Sequence, residues 1–284
     1  MRLISRGSLS FLLAVVALSC AGELRSHSTT PATVSHLFIM YSANAPRDAP
    51  RDFKRYFTRS DYARVESLPP NLDVPRPHRY ALPTSLRERW AGDPGVRHWV
   101  RRGCGPGTPG LIVYDPEDRD LTPPSELRRL SVSVRRAARL VRSTGCHRFG
   151  LAPGSTPLFG LDPASCTYAL EDGSYRELPW KAIDLIDIQA QRLLGDACVD
   201  EAGVENYASV VTTLARFVRE RNPDIAVVSQ VSFRDNPPTR MREGIAAVAD
   251  VIDGIYFSYP SREPEIPCRY CTPVNLRMLL EFLR

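Results

Sequence analysis

Apolar residues in this chain come in short unbroken runs, and the runs alternate with amphipathic stretches. HLFIMYS (36–42), GLIVYDPE (110–117), RFGLAP (148–153), DLIDIQAQ (184–191), IAVVSQVSF (225–233) and DGIYFSYP (253–260) read as six strands. A strand that is apolar on successive residues, not on every second one, is covered on both faces. The segments between them show helical periodicity. Thr122 is placed to cap a helix with Pro123 at its first position; Leu127, Leu130, Val134, Ala138 and Val141 then share one face, and Gly145 closes the segment. Tyr207, Val210, Leu214 and Phe217 form a second stripe, 239–249 a third helix, and NLRMLLEFLR (275–284) a last one.

Strands alternating with helices in this way predict an α/β fold with a parallel sheet, and the length suits a (β/α)8 TIM-type barrel. The N-terminal third is expected to be incomplete or irregular. Residues 43–110 are rich in Pro and Arg, show helical pieces only near 61–66 and 84–90, and have room for one hidden strand. An open doubly wound sheet is the alternative. Against it, no G-x-G-x-x-G follows a strand, and the chain has neither a P-loop nor a G-x-S-x-G elbow, which also disfavours nucleotide and α/β-hydrolase chemistry.

In a barrel of this kind function gathers at the C-terminal ends of the strands. Those ends carry Tyr41, then Tyr114, Asp115 and Glu117, then Asp187, Gln189 and Gln191, then Gln230, then Tyr256 and Tyr259. Amides and carboxylates hold hydroxyl groups while aromatic faces stack on rings, so the set suits a carbohydrate or another polyhydroxylated ligand. Glycoside cleavage needs two carboxyl groups facing across one bond. Glu117 is the candidate acid or base, with Asp115 or Asp187 as its partner. The same residues would also serve a glycan-binding protein without turnover, or a structural envelope protein in which they only cap loops. The histidines are isolated and no metal-ligand spacing occurs, so neither metal nor cofactor is expected.

The first residues change the picture of where the protein works. Arg2 and Arg6 precede FLLAVVAL (11–18), followed by the small residues of SCAG, the layout of a secretory signal. Cys20 after Ala17-Leu18-Ser19 resembles a bacterial lipobox, which leaves two outcomes open: lipidation of Cys20, or cleavage after Ala21. Residues 1–20 are thus expected to be a signal peptide, 21–35 a flexible tether and 36–284 a single barrel domain. That domain would be a monomer, secreted or anchored to the outer face of the cell membrane. Cysteine usage agrees with export: Cys104, Cys146, Cys166, Cys198, Cys268 and Cys271 form an even set, enough for three disulfides. Cys166 with Cys198 is the first pairing expected. Cys268 and Cys271 have C-x-x-C spacing without a second such pair or a nearby histidine, so a structural bridge is expected there. The net charge is +5, and of the 37 basic residues all but Lys54 and Lys181 are arginine. Basic residues read as scattered, with short clusters such as Arg135-Arg136 in helices, and without an accompanying nucleic-acid signature no nucleic-acid partner is expected.

Two resemblances attach to these residues. Asp184-Leu-Ile-Asp187-Ile-Gln189-Ala-Gln191 resembles, in spacing, the D-x-x-D-x-D-x-E signature of family 18 chitinases and chitinase-like proteins, which lies on the fourth barrel strand and ends in the catalytic acid. The resemblance places Gln191 where that acid stands and Gln189 where the neighbouring Asp stands. It therefore implies sugar binding without cleavage, or cleavage that uses Glu117. Tyr114-Asp115-Pro116-Glu117, 187–191 and Asp253-Gly254-Ile255-Tyr256 are similar to a pattern in uncharacterised exported actinobacterial proteins, which implies a barrel and no particular activity.

Overall fold

The six apolar runs become strands, and two further strands appear between residues 61 and 81. The computed structural model describes residues 34–41, 56, 58–64, 78–87, 95–106, 108–117, 121–154, 161–162, 167–168, 174–195, 198, 202–259 and 268–284. β1 (His36–Tyr41), β2 (Tyr62–Arg64), β3 (His78–Ala81), β4 (Leu111–Tyr114), β5 (Arg148–Leu151), β6 (Leu185–Ile188), β7 (Ala226–Ser232) and β8 (Gly254–Tyr259) pair in parallel in chain order. β8 then returns to β1, with His36 opposite Gly254 and Tyr41 opposite Tyr259, and the sheet closes into the expected barrel. Around it lie α1 (Val96–Arg101), α2 (Pro124–Leu127), α3 (Leu130–Arg142), α4 (Ala202–Arg221), α5 (Pro238–Val248) and α6 (Pro273–Phe282). A short antiparallel ribbon, Leu161–Asp162 with Thr167–Tyr168, interrupts the connection from β5 to β6.

Side chains alternate across each strand, so the barrel wall separates two apolar layers. Phe38, Tyr80, Leu82, Leu111, Val113, Ala152, Leu185, Val228 and Tyr256 fill the inside. Ile112, Tyr114, Ile186, Ile188 and Val227 face outward into the layer beneath the helices. The interior is aromatic: Phe38 stacks on Tyr62 at 4.4 Å, and Tyr80 meets Tyr256 edge-on at 6.3 Å. Gly150 makes room on β5, since a Cβ there would lie 2.9 Å from Val113 Cγ2 and 3.3 Å from Leu185 Cδ2.

The N-terminal end of the barrel is fastened by one device used three times. Asp61, Asp184 and Asp253 each stand immediately before a strand (β2, β6 and β8). Each carboxylate accepts the backbone N–H of the second residue of the neighbouring strand: Leu37 (2.8 Å), Phe149 (2.8 Å) and Val227 (2.7 Å). An arginine near the end of a helix completes each clasp: Arg284 after α6 on Asp61, Arg142 of α3 on Asp184, Arg219 of α4 on Asp253. Strand start, neighbouring strand and helix end are thereby tied by one side chain. α1 and α3 share a second device. Both stop just before a glycine in the left-handed region (Gly103, φ 66°; Gly145, φ 74°), each followed by a cysteine, and Cys104 and Cys146 are disulfide-bonded to one another. Cys268 bonds Cys271, the structural bridge expected there. Cys198 is also disulfide-bonded; Cys166, expected as its partner, lies outside the described residues, as do Cys20 and the signal segment.

Three local expectations are corrected. Residues 61–64 are Asp61 and strand β2, not helix, and 84–87 form bends instead of a helical turn. Thr122 does not cap a helix: α2 begins at Pro124, and the chain breaks at Arg129 (φ −128°) before α3. The Thr122 hydroxyl instead accepts the Glu117 N–H (2.9 Å) and donates to the Thr84 carbonyl (2.6 Å). Leu127 is only half-buried, and Glu126 takes the inner position because its carboxylate accepts both the Leu86 N–H (2.9 Å) and the Tyr114 hydroxyl (2.9 Å). Tyr114→Phe removes one donor from a buried carboxylate and is expected to cost about 1–2 kcal/mol in urea unfolding.

Candidate functional site

The exit of β4 is locked on both sides. Asp115 N–H donates to the Pro83 carbonyl (2.9 Å), Gly154 N–H donates to the Pro116 carbonyl (3.0 Å), and Thr122 holds the Glu117 N–H. Asp115 continues the inward parity of Leu111 and Val113, while Pro116 turns the chain so that Glu117 stands at the rim, partly exposed. On β6 the same parity sends Leu185, Asp187 and Gln189 inward. A cavity of about 190 Å³ opens there at the C-terminal end of the barrel. Asp115, Glu117, Asp187, Gln189, Gln230 and Tyr256 line it, and Leu82, Thr84, Leu121 and Ala152 complete the wall.

Polar groups in this cavity differ sharply in how they are satisfied. The Gln189 amide is spent internally, donating to Asp115 Oδ1 (3.0 Å) and to the Ala152 carbonyl (2.8 Å). Asp187 is 3% exposed, and its Oδ1 meets no hydrogen-bond partner. Burial alone pushes the Asp187 carboxyl well above the usual carboxylate range. Gln230, from the adjacent strand β7, presents a buried Oε1 that is likewise without a partner. Behind this wall Ser229 faces outward, and its hydroxyl lies 2.6 Å from that of Tyr207 on α4.

The cavity thus brings together six of the residues expected at the strand ends: Asp115, Glu117, Asp187, Gln189, Gln230 and Tyr256. Tyr114 lies on the other side of β4, outside the cavity, with its hydroxyl on Glu126. Gln191 does not line the cavity either. After Gln189 the chain leaves extended geometry at Ala190 (φ −99°, ψ 7°) and enters a 3-10 turn, Gln191–Leu194, so the alternation ends one residue too early. The Gln191 carbonyl there accepts from Asn236 Nδ2 (2.9 Å). Of Tyr41 and Tyr259 the strand backbone alone is described. Leu82 and Thr84 were missed because the strand they follow, β3, was missed; a buried apolar pair after His78-Arg79 was the available signal.

Fold and site define a closed eight-stranded (β/α) barrel with a polar, partly unsatisfied cavity at its C-terminal mouth. No family model matches the sequence, and no curated protein matches it. Solved structures do. The endo-β-1,4-mannanase from Thermotoga petrophila superposes with a TM-score of 0.50 at 11% identity, covering 90% of this chain and 77% of that one. Malate synthase from Haloferax volcanii gives 0.45 at 9% (88% and 74%), and a 2,3-dimethylmalate lyase 0.43 at 11% (83% and 79%). At these identities the likeness is one of fold. The resemblance of 184–191 to the chitinase signature meets a topological difference: that signature lies on a fourth strand, whereas this stretch is β6, and Asp184 is committed to the clasp on Phe149. No family or curated match supports either resemblance.

Proposed function

We propose that the chain is a glycoside-hydrolase-like barrel protein that binds a polysaccharide at its C-terminal mouth and cleaves it there. The observation that carries this reading is the pairing, in one cavity, of a buried carboxyl with a rim carboxyl: Asp187, unpartnered at Oδ1, and Glu117, partly exposed. Carboxyl groups in contrasting environments divide acid from base work. Burial favours the protonated form of Asp187, which suits it to donate a proton to the leaving oxygen. Glu117 activates water or attacks the sugar carbon. Asp115 orients the Gln189 amide, and Gln230 accepts a sugar hydroxyl on its free Oε1. The fold shared with an endo-β-1,4-mannanase makes β-mannan the first polymer to try. The protein is taken to be exported, monomeric, and secreted or tethered through Cys20, with 36–284 as one domain.

A non-catalytic glycan-binding barrel is the second reading, and the Gln189–Asp115 bond favours it, because the Asp115 carboxylate is already engaged. Reducing-sugar release from mannan, glucan, xylan and chitin, read beside binding to the same polymers, separates the two. Glu117→Gln is expected to keep polymer binding within a few-fold and to remove turnover. Binding without turnover by the wild type leaves the second reading standing. Neither binding nor turnover across the panel sinks both.

A further inference from the structure

The charge of this chain is segregated. Residues 96–110 and 127–149 hold ten arginines and no aspartate or glutamate, while the whole chain carries +5, so the remainder is net acidic. The fold joins the two segments. α1 packs against α3, and the Cys104–Cys146 bridge ties the turns that follow them. Val96 and Trp99 of α1, with Leu130, Val134, Ala137, Ala138 and Val141 of α3, are buried. Arg128, Arg129, Arg135, Arg136, Arg139 and Arg142 all stand exposed on the opposite side.

Arg142 reaches Asp184 at 3.7 Å; among the described residues no carboxylate is within ion-pair distance of the other five. Glu177 also comes to this flank through its backbone, its carbonyl accepting from the Ser131 hydroxyl. A solvated helix face usually alternates in sign, because like charges three and four residues apart repel. Arg135, Arg136, Arg139 and Arg142 are set at that unfavourable spacing. An arginine-rich composition spread evenly would not empty one face of acids.

We propose that this two-helix face docks on an anionic phospholipid surface. α3, with 13 residues, is about 20 Å long, so its arginines cannot converge on one small anion. Among the described residues the exposed large apolar side chains are Val132 and Val274, so no exposed Phe, Tyr or Trp offers a stacking platform of the kind single-stranded nucleic acid uses. Arginines on a surface facing anionic lipid each add attraction without insertion. Val132, at 59% exposure within the row, adds a shallow apolar contact. Chain length is compatible with this placement. Thirteen residues separate Cys20 from Val34, which is already buried against the barrel; the random-coil reach of that length is on the order of 20 Å. β1 also starts at the end of the barrel where Arg142 sits in its clasp. The inference is independent of what the mouth does.

Vesicle co-sedimentation tests it, using the full chain carrying Cys20→Ser so that no lipid anchor contributes. Vesicles of phosphatidylcholine alone are compared with vesicles containing phosphatidylglycerol. Tighter binding to the anionic vesicles, lost as salt is raised, is expected. Arg135→Gln, Arg136→Gln and Arg139→Gln together should weaken that binding at least roughly tenfold with an unchanged Tm, while the three Arg→Lys changes retain it. Arg59→Gln, Arg216→Gln and Arg277→Gln, which remove the same charge from other faces, should bind as the wild type does. Equal loss from both Gln triples, or equal binding to neutral and anionic vesicles, overturns the proposal. So does duplex DNA or polyphosphate displacing the protein from vesicles at equal charge concentration, which would assign the face to a soluble polyanion.

Discussion

Asp187→Asn is expected to raise Tm by several degrees at pH 8, to leave it nearly unchanged at pH 4, and to abolish any turnover. The thermal part follows from linkage. Burial without a hydrogen bond to Oδ1 favours the neutral form and raises the carboxyl's pKa in the folded protein. The unfolded chain releases that proton once pH exceeds about 4. Between that point and the raised folded value the native state binds the extra proton, so stability falls as pH rises. Below about pH 4 both states are protonated and Asp187 makes no difference between them. Asparagine keeps the shape and removes the ionisation, so the variant's Tm should decline less between pH 4 and 9. For catalysis the same change removes the proton donor, and general-acid contributions are roughly 10²- to 10⁴-fold. Melting curves of the two proteins that stay parallel across this pH range would show that Asp187 titrates as an ordinary surface acid.

Asp61→Ala should lower stability by about 3–5 kcal/mol, the scale for breaking a buried ion pair. Asp61 is 0% exposed. Its carboxylate accepts from Leu37 N–H (2.8 Å), Thr58 N–H (2.7 Å), the Thr58 hydroxyl (3.1 Å) and Arg284 Nη2 (2.6 Å to each oxygen). Alanine leaves the buried Leu37 N–H without its acceptor and takes the carboxylate from the Arg284 guanidinium. Asp184 and Asp253 occupy equivalent places, but their side chains are 32% and 41% exposed, so water can replace the lost acceptor. Their alanine variants should lose only about 1 kcal/mol each. Urea denaturation of the three single variants measures this. Three equal losses would mean that the clasps act by geometry alone and that burial adds nothing.

The fold was legible wherever a strand was long enough to show an apolar run. β1, β4, β6, β7 and β8 are such runs, and so is β5 despite its exposed first residue. β2 and β3 were hidden for a physical reason: three- and four-residue strands that give positions to Arg64, His78 and Arg79 carry too few apolar residues to display a period. A better signal for β2 was available. An aspartate directly before the strand marks β6 and β8, and Asp61 stands in the same position before Tyr62. In the site, parity was the informative rule. It sends Asp115, Asp187 and Gln189 inward with Val113 and Leu185, and the same rule turns Tyr114 outward toward Glu126. Gln191 escapes it because strand geometry ends at Ala190, a conformational change that composition does not announce.

The clasps and the cavity stand at opposite ends of the same strands. Groups with no shared partner contribute additively to stability, within about 0.3–0.5 kcal/mol when they are more than roughly 7–10 Å apart. Asp61→Ala combined with Asp187→Asn should therefore give the sum of the two single effects at pH 8. A chain weakened at its base can be partly compensated by a change at its mouth that touches none of the damaged contacts. One end of the barrel can thus vary its chemistry while the other sets how much loss the molecule tolerates.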